Sequence, residues 1–390
     1  MKLMKNFYTH LLIDLFKTNV TLFKIFFYFL FNKKKIIFIY FPVKTYSKNI
    51  TLIKDELKKY KNIYTLLLFN RNSSKIIEKY KDSYFLEVNY LKFIPFSNIV
   101  LDKVNLFISS YVNFVFPRNS KNIYICHDIS DAPMVNKDKE KKLFISLARL
   151  DYIFVPSKTV VNYFKDKFKE LHYNKDSIPK LIDTGYLKLD NVIEELKKSR
   201  INKTHILVAP TFSQQMKDYN MSNSLQIVIK NILLNGEKVI FRPHPLDLIK
   251  KGSFKIIKKI LHEFKEDKNF LYDSSTSYLN SYSKAKLLIT DFSGTAYTFA
   301  YSTLRPVIFF SKNENNFQKN KISKLFYFKD RKTVGFISKN IYELIKSIKR
   351  INQIKQFKKN KIFNLRKSRI KNINKSLNQT VMNILKICRT

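Results

Sequence analysis

From Lys35 onward the chain alternates between two patterns of apolar and polar residues. Short continuous apolar runs stand at Ile36–Phe41, Thr65–Phe69, Asn122–Cys126, Tyr152–Pro156, His205–Ala209, Lys238–Arg242, Leu287–Thr290 and Val307–Phe310. Runs of this length without internal alternation predict strands buried on both faces. Between them lie stretches with helical spacing: Ile50–Tyr60, Ser74–Lys81, Asp138–Leu150, Lys158–Phe168 behind a capping Ser157, Asn223–Leu234, Phe254–Phe264 and Ala296–Ser302. Strand and helix in strict succession predict mostly parallel sheets with helices on both faces. The succession pauses near Asn191–Asn202 and then restarts. The expected architecture is therefore α/β, with Rossmann-like domains over 35–195 and 196–340 facing a cleft. N-terminal helices over 1–34 and a basic helical segment over 341–390, which either crosses back onto the first domain or lies on an anionic surface, complete it.

The N-terminal part is apolar but interrupted. Val20–Phe31 is rich in Phe, contains Lys24 and is closed by Lys33–Lys35. It is too short to span a bilayer. Asp14 and the lack of a small-residue cleavage site argue against a secretory signal. An aromatic, Lys-flanked helix suits either the surface of an anionic membrane or packing on the first sheet.

Charge adds a partner class. With 73 Lys+Arg against 30 Asp+Glu the formal charge is +43, which fits a polyanionic partner such as a phosphorylated substrate, an anionic membrane or nucleic acid. Lys, Asn, Ile and Phe all have A/T-rich codons, so base composition is a competing source of the Lys content. The two cysteines, Cys126 and Cys388, support neither a disulfide framework nor a metal site.

Candidate chemistry lies where strands end. Asp291, Ser293, Gly294 and Thr295 follow LLIT and open a helix. Free N–H groups and the helix dipole at such a turn favour phosphate, at the carboxyl edge where parallel sheets bind ligands. His127 ends one strand in the first series and His244 another in the second. Each is a candidate base or phosphate donor. Arg242 in Arg242-Pro243-His244-Pro245 offers a planar cation for phosphate, and Asp247 is placed to orient His244. Asp128 and Asp131 flank His127, and Gly185 in DTGYLKLD marks a tight turn. No GxxxxGK[ST], GxGxxG or HExxH is present, which argues against a P-loop NTPase, a nicotinamide enzyme and a zinc hydrolase.

Read together, ICHDISDAPM, DYIFVPSKTVVNYF, DTGYLKLD, ILVAPTF, FRPHP and LLITDFSGTAYTFAYSTLRPVIFF occur in order. They resemble the blocks of the CDP-glycerol glycerophosphotransferase family of bacterial teichoic acid primases and polymerases. The resemblance implies a GT-B fold and peripheral association with the inner face of the cell membrane. It also implies attack of an acceptor hydroxyl on the glycerol-bearing phosphorus of CDP-glycerol with loss of CMP, without metal or further cofactor. By this resemblance His127 is the base and His244 and Arg242 stabilise the diphosphate. Ser293, Gly294 and Thr295 bind phosphate, Asp291 fixes their turn, and Thr211 and Gly185 complete the donor side. The expected partners are a CDP-activated donor, a glycan or lipid-linked acceptor and an anionic membrane, with no specific nucleic acid.

The chain departs from the family pattern at Asp128, Leu187, Lys188, Gly294 and Thr298. A CDP-ribitol donor, another CDP-polyol, or a nucleotide-sugar GT-B glycosyltransferase serving capsule or lipopolysaccharide synthesis are the alternatives. A sugar epimerase and a basic, non-catalytic coat protein are more distant ones.

Overall fold

The computed structural model describes residues 2–31, 33–41, 47–70, 83–112, 117, 119–126, 129, 137–199, 201–249, 251–319 and 321–389. The chain forms two units. The first comprises 1–127, 136–187 and 374–390, and the second 128–135 and 188–373. The expected helix at Ser74–Lys81 lies outside the described residues.

The first unit holds a seven-stranded sheet: β1 (Lys35–Phe41), β2 (Ile63–Phe69), β3 (Ser83–Phe85), β4 (Leu106–Ser109), β5 (Lys121–Ile125), β6 (Tyr152–Val155) and β7 (Lys180–Asp183). Its order is β3-β2-β1-β4-β5-β6-β7, and all neighbours are parallel. The second unit holds β8 (His205–Val208), β9 (Lys238–Phe241), β10 (Phe270–Tyr272), β11 (Ala285–Thr290), β12 (Val307–Phe310) and β13 (Gly335–Ser338). They pair in parallel in the order β10-β9-β8-β11-β12-β13. Both sheets reverse strand order beside their first strand, the arrangement of a dinucleotide-binding fold.

The apolar runs become strands because both of their faces are covered. In the second unit, Ile206, Val208, Val239, Phe241, Leu287 and Ile289 turn one face to Val228 and Ile232 of the Leu225–Leu234 helix and Leu344 and Ile348 of the Ile341–Gln353 helix, and the alternate residues Leu207, Ile240, Leu288 and Phe309 are buried on the other. In the first, β1, β2 and β4 bury one face under Ile53 and Leu57. Ser157 caps the Lys158–Glu170 helix by accepting from Val160 N at 3.3 Å.

Three features differ from the sequence reading. The units divide at Leu187/Lys188 rather than at 195/196, because the Leu187–Lys197 helix runs through the expected boundary. The basic C-terminal segment, expected either to cross back onto the first domain or to lie on an anionic surface, is divided between the two units. The Lys359–Arg369 helix is tied to the second unit by Arg366 donating to Tyr301 O at 2.7 Å and by the Arg369–Asp330 ion pair. The Ser376–Arg389 helix returns to the first unit, where Val381, Ile384 and Leu385 join the core beside β1. Residues Lys2–Phe31 form one long helix. Its inner face buries Leu22 and Ile25 against Ile36 and Phe38, and Thr21 Oγ1 donates to Phe85 O at 2.6 Å. No helix among the described residues is long and apolar enough to cross a membrane.

β13 was not legible as a strand. It starts at Gly335, where a Cβ would lie 1.5 Å from the carbonyl oxygen of Val307. Backbone-to-backbone approach this close excludes every side chain. Gly335→Ala is expected to cost roughly 3 kcal/mol by displacing the edge strand, measured as a lower urea midpoint for the second unit.

Candidate functional site

The carboxyl edge of the second sheet gathers four consecutive loops, and three aspartates join them in pairs. The loop after β8 meets the loop after β11 through Asp291. Its carboxylate accepts from Thr211 N at 2.8 Å, Met221 N at 2.9 Å and Phe292 N at 2.8 Å. Thr290 Oγ1 donates to Ala209 O at 2.6 Å beside it. Burial raises the pKa of Asp291, and the three backbone donors work against that rise. The β8/β11 pair is where strand order reverses, so Asp291 closes the sheet at its switch point.

The loop after β9 is joined to the loop after β8 by Asp247. It accepts from Ser213 N at 3.1 Å and Ser213 Oγ at 2.6 Å. Asp247 therefore does not orient His244. The imidazole Nδ1 instead accepts from Leu246 N at 3.2 Å, which makes Nε2 the protonated nitrogen of the neutral ring. Burial lowers the pKa of His244, opposed by the charge of Asp247. The ring stands 5.6 Å from that of Phe212. The result is a half-buried neutral imidazole with an N–H to offer.

The loop after β10 is joined to the loop after β9 by Asp273. Arg242 Nη1 lies 2.5 Å from Asp273 Oδ2, and Nη2 donates to Ser275 O at 2.7 Å. Burial alone would raise the pKa of Asp273. Hydrogen bonds from Ser275 and Ser281 and the charge of Arg242 more than offset this, so the carboxyl sits below its ordinary range. Arg242 is thus turned onto the 273–277 loop, held there by a charge-assisted bond in a mostly buried setting.

The Thr295–Thr303 helix starts at the centre of this edge. Thr295 N donates to Ser293 Oγ at 3.3 Å and Ala296 N to Ser293 O at 3.0 Å. Tyr327 Oη donates to Ser293 O at 2.9 Å and fixes the turn from outside. The N–H groups of Ser293 and Gly294 have no acceptor among the described residues. They are the free donors of this helix start, while Thr295 N is already used. Gly294 has φ −57°, and a Cβ there would meet nothing within 4 Å. A serine would therefore fit. Thr298 is buried, and its Oγ1 reaches Gly294 O at 3.5 Å.

Of the expected residues, Thr211, Arg242, His244, Asp291, Ser293, Gly294 and Thr295 all belong to this one edge. Gly185 lies in the first unit after β7, with φ 84° and its N–H on Asp183 Oδ1 at 3.2 Å. That conformation favours glycine. His127, Asp128 and Asp131 lie outside the described residues, directly or closely following β5. Asp273 and Ser213 were missed. Their signal was available, since each is a short polar residue just beyond an apolar run. Among the described residues, no group of three or more His, Cys, Asp or Glu side chains could hold a metal ion.

Residues 21–385 match the family described as CDP-Glycerol:Poly(glycerophosphate) glycerophosphotransferase. This chain belongs to that family. The minor teichoic acid biosynthesis protein GgaB of Bacillus subtilis (strain 168) is 27% identical over 328 residues, covering 76% of this chain. The chain spans only 30% of the length of that relative. The wall teichoic acid polymerase TagF has a similar fold, with TM-score 0.64 and 17% identity over 92% of this chain and 90% of the other. A UDP-GlcNAc 2-epimerase from Neisseria meningitidis shares the fold at TM-score 0.59 and 14% identity, over 90% of this chain and 100% of the other. The GT-B-like arrangement of two Rossmann-like sheets expected from the sequence is therefore the fold of this family member, while its FRPHP and TDFSG segments frame the edge described above.

Asp291→Asn tests the junction at the switch point. An amide nitrogen would face a backbone donor where a carboxylate oxygen now accepts, leaving buried groups unpaired. The expected cost is about 2 kcal/mol, seen as a lower melting temperature together with faster hydrogen exchange at Thr211 and Met221.

Proposed function

We propose that this protein transfers glycerol phosphate, or a related polyol phosphate, from a CDP-activated donor to an acceptor hydroxyl of a teichoic-acid-like polymer and releases CMP. The family match over residues 21–385 carries the reading. The chemistry of the second unit's carboxyl edge supports it. A diphosphate is met there by the free N–H groups of Ser293 and Gly294 at a helix start, and by the Nε2–H of a neutral His244. Donors aimed where charge develops on the leaving phosphate lower the barrier without rearrangement during the reaction. Phosphoryl transfer relies mainly on such positioning and charge stabilisation.

In this reading Arg242 is a positioning residue. Its cation holds the 273–277 loop against the His244 turn, and Asp291 and Asp247 hold the remaining loops. Thr211 acts through its backbone, as a donor to Asp291. His127 is the proposed base that takes the proton of the acceptor hydroxyl. Gly185, expected on the donor side, instead provides a left-handed turn after β7 in the first unit.

The proposed setting is a membrane surface. The outer face of the Lys2–Phe31 helix exposes Leu12, Phe16, Phe23, Phe27 and Phe31, with Phe16 at 69% and Phe31 at 80%. With Val20, also exposed, they follow one another at three to four residues and form one stripe. Lys17, Lys24, Lys33 and Lys34 are exposed along and beyond the helix, as suits the interface of an anionic leaflet. Phe16→Glu with Phe27→Glu is expected to reduce sedimentation with phosphatidylglycerol vesicles at least tenfold while leaving the melting temperature unchanged.

The activity is tested by CMP release from CDP-glycerol with a lipid-linked acceptor. His244→Ala is expected to lower the rate about 100-fold, and His244→Gln, which keeps an N–H near the Nε2 position, to retain more of it. Wild-type rates in His244→Ala would sink the assignment. Because the folded pKa of His244 is lowered, its neutral form stabilises the folded state above the unfolded value of about 6.5. That contribution disappears as pH falls through the folded pKa. Acid unfolding of His244→Gln should therefore be shallower than that of the wild type below about pH 6.5.

A further inference from the structure

The opposite edge of the second sheet carries a feature that donor chemistry does not use. Beneath the amino ends of three adjacent strands, β8, β11 and β12, lies a cavity of about 370 Å³. Lys203, Lys286, Arg305 and Lys359 line it, and no carboxylate does. The lining residue Lys286 stands five residues before Asp291 along β11, roughly 17 Å at 3.3 Å per residue.

Two of these cations are held in place by the fold. Arg305 Nη1 donates to Tyr282 O at 2.7 Å and to Ala285 O. No acidic group pairs with it among the described residues. Burial lowers its pKa to about 10, so an unpaired guanidinium is being desolvated at the cavity wall. Lys286 pairs with Glu237 at 2.6 Å, and Asn352 donates to the same carboxylate at 2.6 Å. That carboxylate is therefore shared. The other wall is apolar, formed by Ile351, Ile354 and Phe357.

The backbone around the cavity is unusual as well. Leu304 and Gln356, both lining residues, have φ 56° and 54°. Lys358, between lining residues Phe357 and Lys359, has φ 56°. Non-glycine residues held in the left-handed region persist where the surrounding structure enforces them, and they gather at functional sites. Three of the six among the described residues stand at this one rim.

We propose that this cavity binds a small organic phosphate, with its phosphate on Arg305, Lys203 and Lys359 and its uncharged part against Ile351 and Phe357. A fork-shaped guanidinium suits phosphate oxygens, and a concavity lined by charge of one sign concentrates the opposite ion. The site is separate from the donor edge and does not depend on the donor assignment. A nucleoside monophosphate and a glycerol phosphate chain both have the required chemistry.

Calorimetric titration of the full chain with CMP, and separately with a synthetic tri(glycerol phosphate), distinguishes them. The pocket variant is Lys203→Glu with Lys359→Glu, both exposed at the rim. The control is Lys165→Glu with Lys169→Glu, which makes the same charge change in the first unit. Any binding at the donor edge is common to all three proteins. The expected result is at least tenfold weaker binding of one probe, or loss of one equivalent of it, in the pocket variant, with less than a twofold change in the control. The probe affected identifies the source. Equal weakening in both variants, or no change for either probe in a pocket variant with the wild-type melting temperature, overturns the proposal.

Discussion

The second unit depends on one buried carboxylate. Asp291 sits at the point where the strand order of the sheet reverses, and parallel strands there diverge and leave backbone donors without partners. Three amides from two loops converge on it. A buried charge without a cation is costly, and it persists here because each amide would otherwise be an unsatisfied buried group. Once Asp291 is fixed, the start of the Thr295–Thr303 helix is fixed too, and with it the two free amides at Ser293 and Gly294. Asp247 and Asp273 extend the same device outward, one loop at a time.

This use of acid explains a contrast in composition. The chain has 30 acidic residues against 73 basic ones, and several of the acids are spent on internal joints. Glu314 is another. It forms a bidentate pair with Arg331 at 2.6 and 3.1 Å, and Arg331, wholly buried, is surrounded by the rings of Phe309, Phe317 and Phe328. Much of the positive charge is left facing solvent. The buried ion pairs serve geometry.

The family's motifs separate into groups left open at the sheet edge and groups that hold the loops in place. His244 offers an N–H because its other nitrogen is occupied by the Leu246 amide. Arg242, in the same four-residue segment, is consumed by the neighbouring loop. Two adjacent polar residues thus have different tasks, decided by which loop lies beside each. The same logic applies to Ser293 and Thr295, where the serine hydroxyl occupies the threonine amide and leaves the preceding amides open.

The alternation of apolar runs and helical stretches by itself determined the α/β class, the two parallel sheets and most of the strands, because burial on both faces demands continuous apolar residues. Strand-end chemistry marked His244, Asp291 and the SGT turn for the same reason, since polar residues directly after a buried run must lie at the sheet edge. Only the tertiary structure decided which polar groups meet. Asp247 turned to Ser213 rather than His244, and Arg242 turned to Asp273, because loops far apart in sequence become neighbours through strand order. β13 was also hidden, and so was which of the C-terminal helices joins which unit. Gly335 is required by a backbone contact with Val307, and Val381, Ile384 and Leu385 are core residues only because the last helix returns to the first sheet. Local sequence pattern reports burial, whereas partnership depends on which strands are adjacent.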